Sequence, residues 1–373
     1  MAIPSACYGD VDTKTLQFSS SSLTNHQIFN ILKTPAAILI AQKQPLELDE
    51  VEIPSLRYGQ VLVEMAVSRI CGSQIGEING VKGPDRFLPH LLGHEGGGTV
   101  LEIGPEVRHI NVGDRVVAHW RPGCGIDAGG SVYHCGNKKI HAGNITTFQK
   151  YAVISENRLT PVPTNTDFEI CALLADTLTT GFGVITNDAK VRIGESVVII
   201  GCGGIGLGAI LGAKLAGAHP IIAVDLHAHK LKIASNYGAT HTIHSAKEDF
   251  SERIHAILGG QADVIIDGTG LPSLLEKAFS LTSPQGRCIL IGVMHHEQKL
   301  SINTLPLHFG KYLTGSHGGN SLPAEDIPRL LRMMKAGLFN PLGFVSHRIP
   351  LDQINEGIAQ MQSGEVVHCM IHF

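Results

Sequence analysis

The stretch Val197-Val-Ile-Ile-Gly-Cys-Gly-Gly-Ile-Gly206 decides the fold class of this 373-residue chain. Four consecutive branched apolar residues predict a buried strand, and a G-x-G-x-x-G pattern follows it directly. Such a pattern allows a tight turn and brings a helix N-terminus, with its free N–H groups, close to a phosphate. The alternative is a glycine-rich turn without a ligand. We predict a dinucleotide-binding turn formed by Gly201, Gly203, Gly204, Ile205 and Gly206.

The sequence after this turn favours one type of dinucleotide. An apolar run that begins at Ile221 ends in Asp225, 19 positions beyond Gly206. A carboxylate at this distance accepts hydrogen bonds from ribose hydroxyls and repels a 2′-phosphate. Asp225 therefore favours NAD over NADP, and Lys230 is a candidate for a second hydrogen bond to the same ribose.

The pattern changes along the chain predict an α/β protein with separate regions. Residues 1–33 read as a polar arm, and residues 34–178 contain short apolar runs divided by Gly and Pro, which predict a mostly β domain. In residues 179–316 apolar runs alternate with helix-like segments, which predicts a doubly wound parallel sheet built from βαβ units. Residues 317–373 return to helical and extended segments and end in a strand.

Composition excludes several classes of function. The net charge is -4 and no dense Lys/Arg run occurs, which argues against a nucleic-acid partner. The charge-free stretch Val197–Ala213 contains six glycines and is shorter than the roughly 20 residues of a bilayer span, so no membrane segment is expected. Eight scattered cysteines and the lack of a signal-peptide pattern favour a cytoplasmic protein.

A set of possible metal ligands lies in the predicted β domain. Cys71, His94 and Glu95 offer sulfur, nitrogen and oxygen donors. Such a mixed set suits Zn²⁺ with one open coordination position.

Together with the glycine pattern, these residues resemble the medium-chain zinc-dependent alcohol dehydrogenases over about residues 34–373. The segments that match are Cys71–Ser73, Gly93–Gly96, Val112–Val116, Thr179–Gly181, the glycine turn with Asp225, and Ile354–Gly357. The resemblance implies a GroES-like catalytic domain (34–178 and 317–373) interrupted by a Rossmann domain (179–316), with the active site between them. The branch that it resembles most is the class III, formaldehyde dehydrogenase-like one.

The resemblance also implies roles for individual residues. Cys71 and His94 match zinc ligands, and Glu95 matches an acid that can approach or enter the metal shell. Ser73 matches the hydroxyl that relays the substrate proton. Thr180 matches a residue beside the nicotinamide, and Val293 falls where the family offers backbone contact to the carboxamide.

This sequence departs from the family pattern at several positions. Asp176 stands where the family usually has a third cysteine ligand, and we predict that its carboxylate replaces the thiolate. Gln74 replaces a charged residue, and Gly76 stands in place of a relay histidine. The lobe that holds four cysteines in relatives retains only Cys124 and Cys135. We therefore predict one catalytic zinc per chain and no structural zinc.

The function predicted from the sequence is reversible, NAD-linked and zinc-dependent oxidation of a small-molecule alcohol to an aldehyde or ketone. Two alternatives stay open: a zinc-independent reductase of conjugated carbonyls, and a non-catalytic dinucleotide-binding regulator on the same fold. The resemblance implies a homodimer or homotetramer, with the segment Leu305–Thr314 at the interface.

Overall fold

The structure, a computed structural model, describes residues 33–373, and its first part is built from strands. The predicted polar arm therefore lies outside the described residues, except for Lys33, which begins the first strand. The elements are β1 Lys33–Leu39, β2 Glu47–Glu52, β3 Gln60–Arg69, α1 Gly72–Ile78, β4 His90–Leu91, β5 Glu95–Ile103, β6 Arg115–His119, β7 Val132–Cys135, β8 Lys138–His141, β9 Tyr151–Ser155 and β10 Leu159–Val162.

One continuous helical segment, residues 168–188, leads out of these strands. It consists of α2 Phe168–Leu173, a π-helical turn Leu174–Leu178, α3 Thr179–Gly183 and a second π-helical turn Val184–Asp188. By length and composition this segment could cross a membrane, but 83% of its most apolar window is buried in the protein. The domain boundary predicted at 178/179 falls inside it, so the two domains share a helix at this point.

The next part alternates strands and helices, as the sequence predicts. Its elements are β11 Val197–Ile200, α4 Gly204–Leu215, β12 Ile221–Asp225, α5 Ala228–Tyr237, β13 His241–His244, α6 Phe250–Leu258, β14 Ala262–Asp267, α7 Pro272–Leu281, β15 Thr282–Leu290 and β16 Tyr312–Gly315. The six strands form one parallel sheet in the order β13-β12-β11-β14-β15-β16. This is a doubly wound sheet with β11 at its centre, and the charge-free stretch Val197–Ala213 is its central strand and following helix.

The chain then returns to the first part. The last elements are α8 Pro323–Lys335, β17 His347–Pro350, α9 Ile354–Gln362 and β18 Cys369–His372. β18 pairs antiparallel with β3, with Met370 opposite Arg69. The strands of the first part and the two C-terminal strands form a closed barrel, β1-β2-β7-β8-β4, and a second sheet, β10-β6-β5-β3-β18-β17, in which β9 also pairs with β3.

Glycines bring the shared helical segment against the sheet domain. A Cβ built on Gly181 would lie 2.5 Å from the carbonyl carbon of Gly208 in α4, and one on Gly208 would lie 2.4 Å from the carbonyl oxygen of Thr177. Only glycine permits backbones to approach this closely. The Thr179–Gly181 motif therefore has a packing role that fixes α3 against the glycine-rich helix.

A buried carboxylate stabilises the loops of the first part. Glu156, directly after β9, accepts backbone N–H bonds from Arg108 (2.7 Å), His109 (2.8 Å) and Ile126 (2.8 Å). Burial raises the pKa of Glu156, but these hydrogen bonds outweigh it and hold the pKa below its ordinary value. The ionised carboxylate therefore stabilises the fold.

We expect Glu156→Gln to lower the free energy of unfolding by about 1–3 kcal/mol at pH 7, because an amide nitrogen would face the Ile126 N–H donor. The contribution of Glu156 is fully present above the unfolded pKa of about 4.3. This contribution is lost as the pH falls through the lower pKa of the folded state. The free energies of unfolding of the wild-type protein and Glu156→Gln should therefore converge in acid. Denaturant unfolding of both proteins across this pH range tests this. Glu106→Gln, which changes an exposed carboxylate nearby, is the control and should have little effect. A difference in unfolding free energy that stays the same in acid would contradict the stabilising role of the ionised Glu156 carboxylate.

Candidate metal and cofactor site

The structure brings four predicted metal-site residues together in one pocket. Cys71 follows β3, His94 precedes β5, Glu95 begins β5, and Asp176 lies in the first π-helical turn. One ligand atom from each of these side chains lies within 4.8 Å of every other. The only other such group in residues 33–373 is His295, His296 and Glu297, in a partly exposed loop.

The distances between the possible ligand atoms suit a cation with tetrahedral coordination. Cys71 Sγ lies 3.7 Å from Asp176 Oδ2, His94 Nε2 lies 3.9 Å from the same oxygen, and His94 Nε2 lies 3.6 Å from Glu95 Oε1. Ligand atoms bound to one tetrahedral zinc ion lie roughly 3.3–3.8 Å apart, as the usual bond lengths require. His94 Nε2 is buried and has no hydrogen-bond partner among the described residues. The donor set therefore fits a zinc ion held by Cys71, His94 and Asp176.

The charge of the pocket also fits a divalent cation. The pocket holds the carboxylates of Glu95 and Asp176 and the sulfur of Cys71, and Arg69 supplies one positive charge. Burial alone would lower the pKa of His94, but Cys71 and Glu95 raise it well above its ordinary value. The pocket therefore favours positive charge, which a metal cation would supply in place of the proton on His94.

Two hydrogen bonds fix the orientation of Asp176. Its Oδ1 accepts from Trp120 Nε1 (3.0 Å) and from Thr180 Oγ1 (2.6 Å), so its Oδ2 faces Cys71 and His94. Burial raises the pKa of Asp176, yet the charges on His94 and Arg69 and these two hydrogen bonds bring it below the ordinary value. The carboxylate is thus held ionised, with one oxygen directed at the pocket.

Glu95 is held by an ion pair that the sequence analysis did not predict. Arg69 Nε donates to Glu95 Oε2 (2.8 Å), and Arg69 Nη2 lies 2.7 Å from Glu95 Oε1. Burial lowers the pKa of Arg69, but Glu95, Cys71 and Asp176 together raise it above its ordinary value, so the guanidinium stays charged. Glu95 Oε2 is therefore fixed by Arg69, whereas Oε1 has no hydrogen bond from the described residues and lies 3.6 Å from His94 Nε2, on the side of the metal pocket.

The residues around Cys71 and His94 have structural roles as well. Ser73 lies in the first turn of α1, partly buried, and its Oγ is 3.5 Å from Cys71 Sγ. Gln74 is buried, and in the amide orientation that satisfies its neighbours its oxygen accepts from the backbone N–H groups of Gly93 (2.5 Å) and His94 (3.2 Å). Gln74 therefore holds the backbone that carries His94, which is a different role from that of a charged partner for the imidazole ring.

The predicted dinucleotide turn lies at the carboxyl end of the central strand. Gly201 has φ +93°, and a Cβ on Gly206 would lie 2.0 Å from the Gly201 carbonyl oxygen, so both positions require glycine. A Cβ on Gly203 would meet nothing within 4 Å, which leaves its backbone open to a ligand. Gly204 and Ile205 form the first turn of α4.

Asp225 lies beside this turn at the end of β12. Its Oδ2 accepts from the backbone N–H of Cys202 (2.7 Å) and its Oδ1 accepts from the N–H of His227 (2.8 Å). Each oxygen retains a free lone pair, and the side chain is only partly buried. Lys230 follows in the first turn of α5 and is also partly buried.

The loops that follow β14 and β15 lie at the same edge of the sheet. Asp267, at the end of β14, accepts from the N–H groups of Thr269 (3.0 Å) and Gly270 (2.9 Å) and orders the loop that follows. A Cβ on Gly270 would lie 2.6 Å from the Val293 carbonyl oxygen, so the loop carrying Val293 packs against it. The Val293 side chain is 56% exposed. Loops at this edge are where open α/β sheets bind ligands.

A buried pair of side chains connects the metal pocket with the glycine turn. Arg69 Nη1 lies 2.8 Å from Nδ1 of His368, which precedes β18. A Cβ on Gly204 would lie 2.9 Å from Arg69 Nη1 and 3.2 Å from His368 Nε2. The two candidate sites are therefore adjacent, with Arg69 between them.

Sequence reasoning missed the roles of Arg69, Trp120 and His368. Arg69 is a charged residue between the apolar residues Val67 and Ile70, two positions before Cys71, and this pattern could have indicated its role. Trp120, the single tryptophan of the chain, contacts Asp176 from 56 positions away, which no local pattern indicates.

In the lobe that follows Trp120, the side chains that could bind a structural zinc ion make other contacts. Cys135 Sγ donates to Asp49 Oδ2 (3.1 Å), Asp127 accepts from Asn144, and Cys124 is exposed. His134 lies on β7, opposite Glu52 of β2. All seven cysteines of the described residues are free thiols.

We expect a Cys124→Ser/Cys135→Ser double variant to retain its melting temperature and its zinc content within experimental error. A serine hydroxyl at position 135 can still donate to Asp49, and nothing in the described lobe gathers the two sulfurs at one point. Thermal unfolding and elemental zinc analysis test this. Loss of one zinc per chain would contradict it and would mean that His134 or Asp127 completes a second metal site.

The sequence matches two family profiles. Residues 57–164 match the alcohol dehydrogenase GroES-like domain, and residues 204–336 match the zinc-binding dehydrogenase domain. Alcohol dehydrogenase 6 of Peromyscus maniculatus is 30% identical over 91% of this chain and 98% of its own length. S-(hydroxymethyl)glutathione dehydrogenase of Paracoccus denitrificans is 29% identical over 91% of this chain and 100% of its own length.

Solved structures show the same similarity. An alcohol dehydrogenase zinc-binding domain protein from Burkholderia ambifaria has a TM-score of 0.83 and 28% identity, covering 91% of this chain and 99% of its own. Benzyl alcohol dehydrogenase from Acinetobacter calcoaceticus has a TM-score of 0.81 and 27% identity, with the same coverage.

Proposed function

The chain belongs to the medium-chain, zinc-dependent alcohol dehydrogenases, and on this basis we propose that it oxidises an alcohol to an aldehyde or ketone, reversibly, with NAD as hydride acceptor. The observation that carries the proposal is the buried pocket of Cys71, His94, Glu95 and Asp176 beside the glycine turn. A regulator without chemistry has no need of a buried His94 nitrogen that lacks a hydrogen bond and lies next to a carboxylate directed at it.

In this proposal Cys71, His94 and Asp176 hold one catalytic zinc ion. When bound, the zinc supplies Lewis acidity that favours loss of the substrate hydroxyl proton. Ser73, whose Oγ lies beside Cys71, accepts that proton and passes it outward. Trp120 and Thr180 keep Asp176 in place and line the pocket between metal and cofactor.

The cofactor residues position the nicotinamide against the substrate. The turn Gly201–Gly206 and the N-terminus of α4 receive the pyrophosphate, and Asp225 with Lys230 holds the adenosine ribose. The Val293 backbone contacts the carboxamide, and Thr180 packs beside the nicotinamide ring. These contacts bring the hydride acceptor to the pocket that holds the substrate oxygen.

The test is turnover of an alcohol panel with NAD and with NADP by zinc-loaded protein, with elemental zinc analysis in parallel. The panel includes benzyl alcohol and S-(hydroxymethyl)glutathione, which the names of two similar proteins suggest. We expect zinc-dependent, NAD-preferring oxidation of at least one alcohol. Metal-independent reduction of a conjugated carbonyl with NADPH would instead support a reductase, and dinucleotide binding without turnover would support a regulator.

We also propose that the protein is a homodimer or homotetramer. β16 is an edge strand of the six-stranded sheet, and the apolar side chains of Leu305, Phe309 and Tyr312 are exposed along this edge. An unprotected edge strand with apolar neighbours pairs readily with a second copy. Light scattering should give two or four times the chain mass of 39.8 kDa, and a monomer at micromolar concentration would contradict this.

A further inference from the structure

We propose that His295, His296 and Glu297 bind a divalent metal ion of the zinc type at a site separate from the buried metal pocket. These three residues lie in the loop that follows β15, in the sheet domain. The inference goes beyond the proposed function, which gives no role to any of the three side chains. A bound ion restricts the loop that also carries Val293.

The first step concerns the backbone that carries these side chains. The His296 N–H donates to the carbonyl oxygen of Val81 (2.9 Å), in the segment that follows α1, and the Gln298 N–H donates to the carbonyl oxygen of His295 (2.8 Å). A Cβ on Gly83 would lie 2.9 Å from His296 Cδ2, so the glycine leaves room for this imidazole. The loop therefore has a defined shape before any ion binds, which lowers the entropic cost of binding.

The second step concerns the distances between the possible ligand atoms. The ring centres of His295 and His296 lie 4.6 Å apart, with the rings at 88°. Imidazoles that share a tetrahedral zinc ion place their ring centres about 5 Å apart, as the usual bond lengths require. His295 Nδ1 lies 3.9 Å from Glu297 Oε2, where nitrogen and oxygen ligands of one zinc ion lie about 3.4 Å apart. A small rotation of the exposed Glu297 side chain closes this difference.

The third step concerns the proton on His295. The backbone N–H of Glu297 donates to His295 Nδ1 at 3.4 Å. Because an N–H group can only donate, Nδ1 carries a lone pair on the side of the Glu297 carboxylate. A hydrogen bond of this length exceeds the usual range of about 2.7–3.2 Å and is weak, so a bond to a metal ion replaces it at little cost. Nδ1 is therefore ready to act as a ligand.

The fourth step concerns the kind of ion. Two imidazole nitrogens and one carboxylate oxygen are a usual donor set for Zn²⁺ with one open position, whereas Mg²⁺ and Ca²⁺ prefer oxygen ligands alone. The neighbouring cation Lys82 lies 3.0 Å from Glu77 Oε1, so its charge is paired within its own segment. The site has no thiolate, and two of its three residues are exposed. We therefore expect it to release zinc more readily than the buried pocket does.

The experiment counts zinc ions and locates them. Protein is loaded with zinc, freed of excess metal, and titrated with Zn²⁺ by calorimetry, with Mg²⁺ in a parallel titration. We expect the wild-type protein to bind one more Zn²⁺ ion per chain than His296→Gln, and Mg²⁺ to bind neither protein at this site. His295→Gln should weaken the additional site by at least about 10–100-fold, since it removes a ligand.

Hydrogen exchange then locates the additional ion. Zinc should slow amide exchange in the peptide that spans residues 291–299 of the wild-type protein, because an ion that binds three side chains opposes local opening of the loop. The same addition of zinc should leave this peptide unchanged in His296→Gln. Zinc-dependent slowing that is confined to other peptides would overturn the proposal.

Three further variants separate ligand loss from a general effect of substitution. Glu297→Asp keeps a carboxylate and should retain the additional ion, whereas Glu297→Gln should weaken it. His109→Gln changes an exposed histidine of the other domain and should leave the zinc count unchanged. Equal zinc counts in the wild-type protein and His296→Gln would overturn this inference alone. Failure of the loaded protein to oxidise any alcohol would contradict the proposed function, yet the difference of one ion between these two proteins would remain.

Discussion

Asp176→Ala should abolish both bound zinc and alcohol oxidation. Asp176 Oδ2 lies within 4 Å of both Cys71 Sγ and His94 Nε2, and its removal leaves two protein ligands where catalytic zinc sites use three. Loss of residues that only support a ligand already costs about 10–100-fold in metal affinity, so loss of the ligand should cost at least about 100-fold. Elemental analysis and chelator competition on the purified variant measure this.

Two other substitutions at this position separate metal binding from folding. Asp176→Asn can still accept from Trp120 and Thr180 through its amide oxygen but presents an NH₂ group to the pocket, so it should keep its melting temperature and lose zinc. Asp176→Cys should retain zinc and resist chelators better than the wild-type protein, because thiolate binds Zn²⁺ tightly. One zinc per chain with unchanged chelator resistance in both the Ala and Asn variants would refute the ligand role of Asp176.

Asp225→Ser should shift the preference between NAD and NADP by about 10–100-fold. The substitution removes the carboxylate that we propose as the acceptor for the ribose hydroxyls, and with it the charge that would repel a 2′-phosphate. The ratio of kcat/KM for the two cofactors, together with their dissociation constants, measures the shift.

Asp225→Asn is the matched control for the shape of the turn. Its amide oxygen can still accept one of the two backbone N–H groups that Asp225 binds, that of Cys202 or that of His227, but the negative charge is gone. We expect a smaller loss of NAD affinity than in Asp225→Ser and partial acceptance of NADP. A cofactor ratio that neither variant changes would show that Asp225 does not contact the ribose.

The parts of the fold that depend on local pattern could be predicted from the sequence. The strand Val197–Ile200 and the glycine turn occur where they are predicted, because buried strands and left-handed turns restrict residue type directly. The segment Leu174–Leu178 is different, since nothing in its sequence distinguishes a π-helical turn from a loop or an α-helix. The position of Asp176 in the pocket depends on this turn.

Contacts between distant segments could not be predicted in this way. The Arg69–Glu95 pair joins neighbouring strands, and the Arg69–His368 contact joins residues 299 positions apart. Only the pairing of β18 with β3 brings the latter together. The family resemblance indicated Cys71, His94 and Glu95 as site residues, but the ion pair that holds Glu95 is visible only in three dimensions.

The pairing of β18 with β3 also determines when the second sheet can finish folding during synthesis of the chain. β3 leaves the ribosome well before β18, because Met370 of β18 lies 301 positions beyond its partner Arg69 in β3. Cys71 and Asp176 are 105 positions apart, so the metal pocket cannot assemble until the segment 168–188 has emerged. The side of the pocket formed by Arg69 and His368 can form only later, when β18 has emerged and paired with β3. In our proposal Cys71, His94 and Asp176 hold the zinc ion, so the ion can find its full set of protein ligands only after the segment 168–188 has packed against β3 and β5.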